Sequence, residues 1–272
     1  ARGVNLPYES AITVTLPYEI PAYAMNVKLA LTNKVPVTPV RGAGQPQGVF
    51  VMERLLDQAA QALGLDRAEI RRRNLVSDAD MPKTKPLQNR GGGQVVLDSG
   101  NYPKCQADAL ARADWDGFPA RQKAARLEGR YIGIGMANFV KGTGRGPFES
   151  ATVRLTPSGA IQVATGATAM GQSTETMMAQ IVAAQLGGDI SNVKVIAGDS
   201  AATVLGIGGF HSRQAVTAGS SAHVAAITVR EKALAIAAHL LEASEADLEI
   251  VGREIRVAGV ADMKVSIGEV AR

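Results

Sequence analysis

Residues 149–198 read ESATVRLTPSGAIQVATGATAMGQSTETMMAQIVAAQLGGDISNVKVIAG, and this stretch decides the fold. Apolar-rich runs at 149–156 and 160–165 flank Pro157, Ser158 and Gly159, which predicts two strands joined by a tight turn. The polar, glycine-containing loop Gly166–Ser173 then opens a helix predicted over 174–186, and a third strand is predicted over Val193–Gly198. This order of elements gives an α+β protein rather than a regular βαβ series.

Downstream, a long Ala-rich helix is predicted from about Arg213 to Leu241. Short strands around Leu248, Ile250, Ile255, Val257 and Val265 follow, ending in the start of a helix. Upstream, a strand is predicted near 131–140, so the second unit is expected to begin at Tyr131. Before it, helices over about Tyr102–Ala113 and Pro119–Glu128 read as a connector. Pro82, Pro86, Gly91-Gly92-Gly93 and Asp98-Ser99-Gly100 mark residues 75–100 as a surface loop and linker. From Gly48, Met52, Leu55, Leu56, Ala59 and Leu63 fall at helical spacing, with Gly64 as C-cap. Asp66 caps a second helix to about Asn74, whose Arg71–Asn74 end is expected in solvent, favoured by the helix dipole. Residues 11–40 read as extended, with Val27, Leu29 and Leu31 alternating as in a half-buried strand. The expected division is 1–100, a helical connector at 101–130, and 131–272.

The 272 residues carry 29 Lys plus Arg against 25 Asp plus Glu, a net charge of +4. Aromatics are 4% and the charges are mixed in sign, which argues against nucleic acid as the main partner. A 46% hydrophobic, 20% charged composition is that of a folded protein. The single Cys105 excludes an internal disulfide, a four-thiolate zinc site and a cluster held by this chain alone, and suits a reducing, cytoplasmic setting. No apolar run approaches a membrane span, and ARGVNLPYES lacks a signal-peptide pattern. The absence of an initial Met reads as a processed, split or truncated chain.

Three glycine-containing loops run into helices: Arg41–Gly48 (RGAGQPQG), Gly166–Ser173 (GATAMGQS) and Gly206–Ser221 (GIGGFHSRQAVTAGSS). Amides at a helix N-terminus favour an anion, and glycine lets backbone approach a ligand. One such loop usually makes only a turn. Three, with Gln45, Gln172, Ser173 and Ser212 as donors, suit a large ligand with several polar edges. The first imitates a dinucleotide fingerprint, but Pro36 and Pro39 are incompatible with the buried parallel strand that must precede one, and Gly48 comes one residue late. There is no Walker loop and no HExxH pair. His223 and His239 lie sixteen residues apart on the long helix, too far to share a metal; His211 sits inside the third loop.

Taken together, YEIPAYAMNVKLALTNKVPVTPVRGAGQPQ, MERLLDQAAQALGLDRAEIRRRN, KGTGRGPFESATVRLTPSGAIQVATGATAMGQS and GGFHSR resemble the molybdenum-binding large subunit of the xanthine dehydrogenase, aldehyde oxidase and carbon monoxide dehydrogenase family. The resemblance implies two partial molybdopterin-binding lobes of mixed sheets packed with helices. It also implies a molybdopterin cytosine dinucleotide carrying molybdenum, with no side chain of this chain as metal ligand. Arg41 and the amides of Gly42, Ala43 and Gly44 would lie near the metal. Met170, Gly171, Gln172 and Ser173 would hold the pterin and its nucleotide extension, Ser173 standing where the family usually has Gly. Ser212 and Arg213 would face the cofactor, and His211, preceding them, would line the pocket or offer its backbone. Lys141, Gly142 and Thr143 match pocket positions.

The implied activity is oxidation of a heteroaromatic or aldehyde substrate with water as oxygen source. Electrons would leave to iron–sulfur and FAD partner subunits of a hetero-oligomer. Ala43 and Lys141 fall where xanthine enzymes carry Phe, and Glu9 falls near a substrate-polarising Arg of those enzymes, which disfavours xanthine. No cysteine occupies the loop where the carbon monoxide branch holds copper. The family's upstream glutamine loop and its C-terminal general-base glutamate are missing, so this chain alone is expected to be inactive and to need the remainder of the large subunit. Glu269 in SIGEVAR reads as a surface cap. The alternative is a non-catalytic scaffold or binding protein that keeps the fold.

Overall fold

In the computed structural model, which describes residues 5–89 and 91–272, the chain divides into two units, 1–141 and 142–272. The first unit begins with helix α1 (Asn5–Thr13), followed by α2 (Gln45–Leu63) and α3 (Arg67–Asn74). Gly64 ends α2 in the left-handed conformation with its amide on the Ala60 and Gln61 carbonyls, and the Asp66 carboxylate caps α3 through the Ala68 and Glu69 amides. The apolar stripe of α2, through Met52, Leu56 and Ala60, buries against Val14, Tyr18, Ile70 and Leu75. Strands β1 (Lys83–Gln88) and β2 (Gln94–Leu97) pair antiparallel, and α4 (Tyr102–Ala113) and α5 (Phe118–Leu127) follow.

The second unit opens with β3 (Ala151–Leu155) and β4 (Ile161–Thr165), which pair antiparallel. Helix α6 (Thr174–Gln185) leads to β5 (Val193–Ala197), parallel to β4, so this sheet is mixed with order β3-β4-β5. Ile161 and Val163 of β4 bury under Met178, Val182 and Leu186 from and just beyond α6. Helix α7 (Gly219–Leu241) spans roughly 35 Å at the α-helical rise. Its alanines explain how one helix serves two layers. Ala222 and Ala226 lie in the core of the mixed sheet. Ala233 and Ala237 lie in a second core built on β6 (Leu248–Val251), β7 (Glu254–Val257), β8 (Val260–Ser266) and the short α8 (Ile267–Val270). A methyl group at each position lets backbone and sheet approach closely without a void.

Four sequence expectations need correction. Residues 5–13 are helical, and no strand forms over 19–40: Val27, Leu29 and Leu31 are 38%, 58% and 104% exposed, because nothing among the described residues covers that alternating face. The surface loop at 75–100 is largely the β1–β2 hairpin, its Pro86 inside a strand of a two-stranded sheet and its glycines near the turn. Residues 131–140 show alternating burial but form no strand. The Arg71–Asn74 end is not uniformly solvated. Arg71 is fully buried on Glu53 (2.6 Å) and Asp57 (2.9 Å), whereas Arg72 and Arg73 are exposed on Glu69.

Candidate functional site

The first loop is a tight left-handed turn. Gly42, Ala43 and Gly44 have φ of 101°, 49° and 98° in succession, and Gly44 is the N-cap of α2 without any side-chain cap. The Ala43 and Gln45 amides close the turn on the Val40 and Gly42 carbonyls, while those of Gly42 and Gly44 have no partner among the described residues. A Cβ at Gly44 would stand 2.2 Å from the Leu6 carbonyl oxygen, so the turn is locked sterically against α1. Ser10 adds a hydrogen bond from its hydroxyl to the Gly44 carbonyl (2.7 Å). Arg41 is exposed beside this turn.

In the second unit, the loop from Gly166 to Ser173 leaves the end of β4 and opens α6. Gly171 and Ser173 both take positive φ, and Ser173 is the N-cap of α6 with no side-chain cap. The Gly171, Gln172 and Ser173 amides, and the first amides of α6, are unpartnered among the described residues. Glu175, the acidic residue of the first turn, is exposed. The Gln172 side chain shapes the loop from within. Its oxygen accepts the Met170 amide (2.7 Å), and its nitrogen donates to the Gln214 side-chain oxygen. Gln214 also accepts from the Thr174 hydroxyl (3.0 Å) and donates to the Thr168 carbonyl (2.7 Å). Second and third loops are therefore stitched together. At Gly166 and Gly206 they touch backbone to backbone, with only 2.4 Å between the Gly206 Cα and the place of a Gly166 Cβ.

His211 and Ser212 hold φ of 48° and 51°, two consecutive left-handed non-glycine residues. A single π-helical turn, Gln214–Ala218, follows and runs into α7. Such strain and π-turns persist where surrounding contacts fix them, and they cluster at functional sites. The fixing contact is Arg213, expected from the resemblance to face the cofactor. Its guanidinium is instead buried: it donates to Glu149 (2.7 Å) and to the carbonyls of Gly208 (2.8 Å), Arg145 (2.9 Å) and Phe148, and lies 5.0 Å from the Phe210 ring centre. Glu149, equally buried, also accepts the Ile207 and Gly208 amides at 3.1 Å, while the Ser221 hydroxyl donates to its carbonyl (2.6 Å).

Sequence reasoning overlooked Glu149 and Gln214. Glu149 shares the inward parity of Val153 and Leu155, and a carboxylate on an apolar face requires a partner; that parity was the available signal. Lys141 closes the first unit, and the exposed Gly142 and Thr143 open the second. Glu9 is buried on α1. His223 and His239 are exposed on α7, and no group of three His, Cys, Asp or Glu that could hold a metal occurs among the described residues. Cys105 is exposed on α4. Glu269 forms the expected capping box with Ser266, whose hydroxyl and amide hold its carboxyl below the usual range. A cleft of about 420 Å³ between α4 and residues 134–140 contains none of the three loops. No helix among the described residues is long and apolar enough to cross a membrane.

These residues define a class: an α+β protein whose first unit carries a left-handed glycine turn at an uncapped helix start, and whose second unit carries a pair of loops stitched by Gln172 and Gln214 at another. Two family models, each described as a molybdopterin cofactor-binding domain, match residues 2–75 and 108–272, and the chain belongs to that family. It is 35% identical to the 6-hydroxypseudooxynicotine dehydrogenase complex subunit gamma of Paenarthrobacter nicotinovorans, over 97% of this chain and 34% of that protein. It is 34% identical to the nicotine 6-hydroxylase large subunit of the same organism, over 96% and 33%. Among solved structures, quinoline 2-oxidoreductase from Pseudomonas putida 86 superposes with a TM-score of 0.72 at 37% identity, over 88% of this chain and 31% of that one. The chain thus spans about a third of the length of the relatives it matches.

Proposed function

We propose that this chain is the middle portion of the molybdopterin-binding large subunit of a molybdenum hydroxylase. The observation that carries the reading is the uncapped start of α6, presented by a loop that Gln172, Gln214 and Thr168 stitch to its neighbour. The donor set fits a molybdopterin cytosine dinucleotide: amides and hydroxyls line both loops, and the buried Thr203 hydroxyl, on the way into the third loop, has no partner among the described residues. When bound, that group supplies the redox chemistry by which an electron-poor carbon is oxidised with water as oxygen source.

The residues of this chain bind, orient and exclude water. Gly171, Gln172 and Ser173 receive the pterin and phosphates at the positive end of α6. Arg41 with Gly42, Ala43 and Gly44 contributes amides and a cation near the metal. Met170, His211 and Ser212 border the cofactor, and Lys141, Gly142 and Thr143 belong to the substrate pocket. Arg213 acts from behind, by fixing the third loop. Nicotine and quinoline, in the names of two relatives, are nitrogen heteroaromatics, which favours that substrate class over an aldehyde. Iron–sulfur and FAD subunits complete the assembly, and the remainder of the large subunit supplies the general base.

The complete subunit, purified with its neighbours, should contain molybdenum and release a pterin and a cytidine nucleotide on denaturation; absence of all three would leave the scaffold reading. Gln172→Ala in the same assembly removes about two hydrogen bonds that shape the loop and should lower pterin content roughly fivefold or more while the fold persists. Unchanged occupancy and turnover would remove Gln172 from the site.

A further inference from the structure

Where the third loop enters α7, one helix has to satisfy two sets of contacts. Downstream, Ala218, Ala222 and Ala226 are fully buried in the core of the mixed sheet, and a Cβ at Gly219 would stand 2.9 Å from Ile181 of α6, so packing fixes the rotation of α7. Upstream, Arg213 and Gln214 are both buried and face different segments. Arg213 donates to Glu149 and the Arg145 carbonyl, and Gln214 reaches Thr168, Gln172 and Thr174. Carried back from Ala222 at about 100° per residue, an uninterrupted α-helix would place Arg213 on the opposite face and Ala215 on the buried one. The molecule shows the reverse. Arg213 is 1% exposed, whereas Ala215 and Val216 are exposed, Val216 at 46%.

The π-turn accounts for the reversal. The Gly219 amide bonds to the Gln214 carbonyl, so the turn holds one residue more than an α-helical turn does. That excess rotates everything before it by about one residue, roughly 100°. Gln214 thereby takes the inward place that Ala215 would have had, and Arg213 leaves the solvent face. From there Gln214 accepts from the Gln172 side chain and the Thr174 hydroxyl and donates to the Thr168 carbonyl, three bonds to the loop whose Gly171, Gln172 and Ser173 amides are unpartnered among the described residues.

We propose that the π-turn Gln214–Ala218 is a register device that aims Arg213 and Gln214 inward, and that Gln214 is a positioning residue. Through Gln172 and Thr174 it sets the shape in which the second loop offers its amides, without itself touching the group they receive. The positioning claim rests on the reading of that loop as a molybdopterin site; the register claim does not.

Both claims are tested in the complete subunit in its assembly, by hydrogen–deuterium exchange at residues 168–173 and by molybdenum and cytidine nucleotide content. Deletion of Ala215 removes the excess residue and leaves a plain α-helical turn with Arg213 and Gln214 still inward, so loop exchange and cofactor content should stay within about twofold of the unaltered protein. Gln214→Ala removes the three bonds. Exchange at 168–173 should quicken roughly tenfold or more and cofactor content fall about fivefold, while residues 222–237 of α7 keep their protection. Adding Gln172→Ala should do little further harm, because the two side chains act on each other. Gln214→Glu keeps both acceptor roles and should restore loop protection in part; it carries the test should the alanine variant not fold. Loss of loop protection or of cofactor on deleting Ala215, or unfolding of the second unit by that deletion, overturns the register claim, since a residue in excess can be removed without either. Unchanged loop exchange or unchanged cofactor content in the Gln214 variants, or fully additive losses with Gln172→Ala, overturns the positioning claim. Exchange is read whether or not cofactor is present, so absence of molybdenum and nucleotide from the unaltered protein ends the cofactor reading while the register claim is still decided.

Discussion

Two buried arginines, one in each unit, do different work, and the difference lies in what their partners are. Arg71 binds Glu53 and Asp57 of α2 and the Arg67 carbonyl of its own helix, while the Tyr18 hydroxyl donates to Glu53 at 2.6 Å. Burial first, then the Glu53 hydrogen bond and charge, push the Tyr18 phenol above its ordinary range, so it stays a neutral donor at any working pH. Every partner of Arg71 is helical, and the cluster staples α2 to α3. Arg213 instead meets loop carbonyls and a carboxylate that also accepts two loop amides. The same residue pair, Arg with Glu, thus sets global packing in one unit and loop shape in the other.

The largest effect is expected where the staple is broken. Arg71→Ala strands Glu53 in the core, and removing one member of a buried pair costs about 3–5 kcal/mol. Chemical denaturation of the complete subunit should show the first unit melting earlier, with the second unchanged. Equal loss in both units would refute the distinction. Next comes Glu149→Gln, which keeps the shape and one acceptor but leaves the Arg213 charge unpaired. Exchange at residues 206–213 should quicken and pterin content drop severalfold, while the helical signal holds. If Glu149→Gln instead unfolds the unit as a whole, the pair is a staple like that of Arg71. Gly44→Ala is a steric test on the first loop. Its Cβ would press on the Leu6 carbonyl at a left-handed φ, at a cost of roughly 2 kcal/mol. Thermal unfolding and molybdenum content should fall together, because α1 and the loop cannot separate without losing both.

The second unit was the more legible in sequence, and the reason is physical. Its strands β3, β4 and β5 and helices α6 and α7 find their partners within 131 residues of chain, so local period and local burial agree. The three glycine loops were visible for the same reason, since a positive φ at Gly42, Gly44 or Gly171 is a property of the residue itself. In the first unit the alternation at Val27, Leu29 and Leu31 predicts a half-buried strand, but a strand is defined by its neighbour, and none is present among the described residues. Proline at 82 and 86 pointed to a loop because a two-stranded ribbon tolerates what an inner strand does not. The inward turn of Arg213 was hidden because its partner lies 64 residues away. A motif places such a side chain near the site but does not say which way it faces.

The smallest predicted effect tests the exposed counterpart of the Arg71 cluster one turn along. Glu69 is bonded to Arg72 (2.6 Å) and Arg73 (2.7 Å) on the open face of α3, and those hydrogen bonds hold its carboxyl at about 2, against an ordinary 4.5. A carboxyl depressed in the folded state adds stability that is fully present above its unfolded pKa and disappears as pH falls toward the folded one. The window is therefore roughly pH 4.5 down to 2. Both arginines are more than half exposed, so salt screens the pair and its contribution is small. An NMR titration should find the Glu69 carboxyl depressed at low ionic strength and moving back toward 4.5 in molar salt, with Glu69→Gln scarcely altering the thermal midpoint at neutral pH. Arg71, sealed from solvent, should show no such salt dependence; if both respond alike, burial is not what separates the staple from the surface pair.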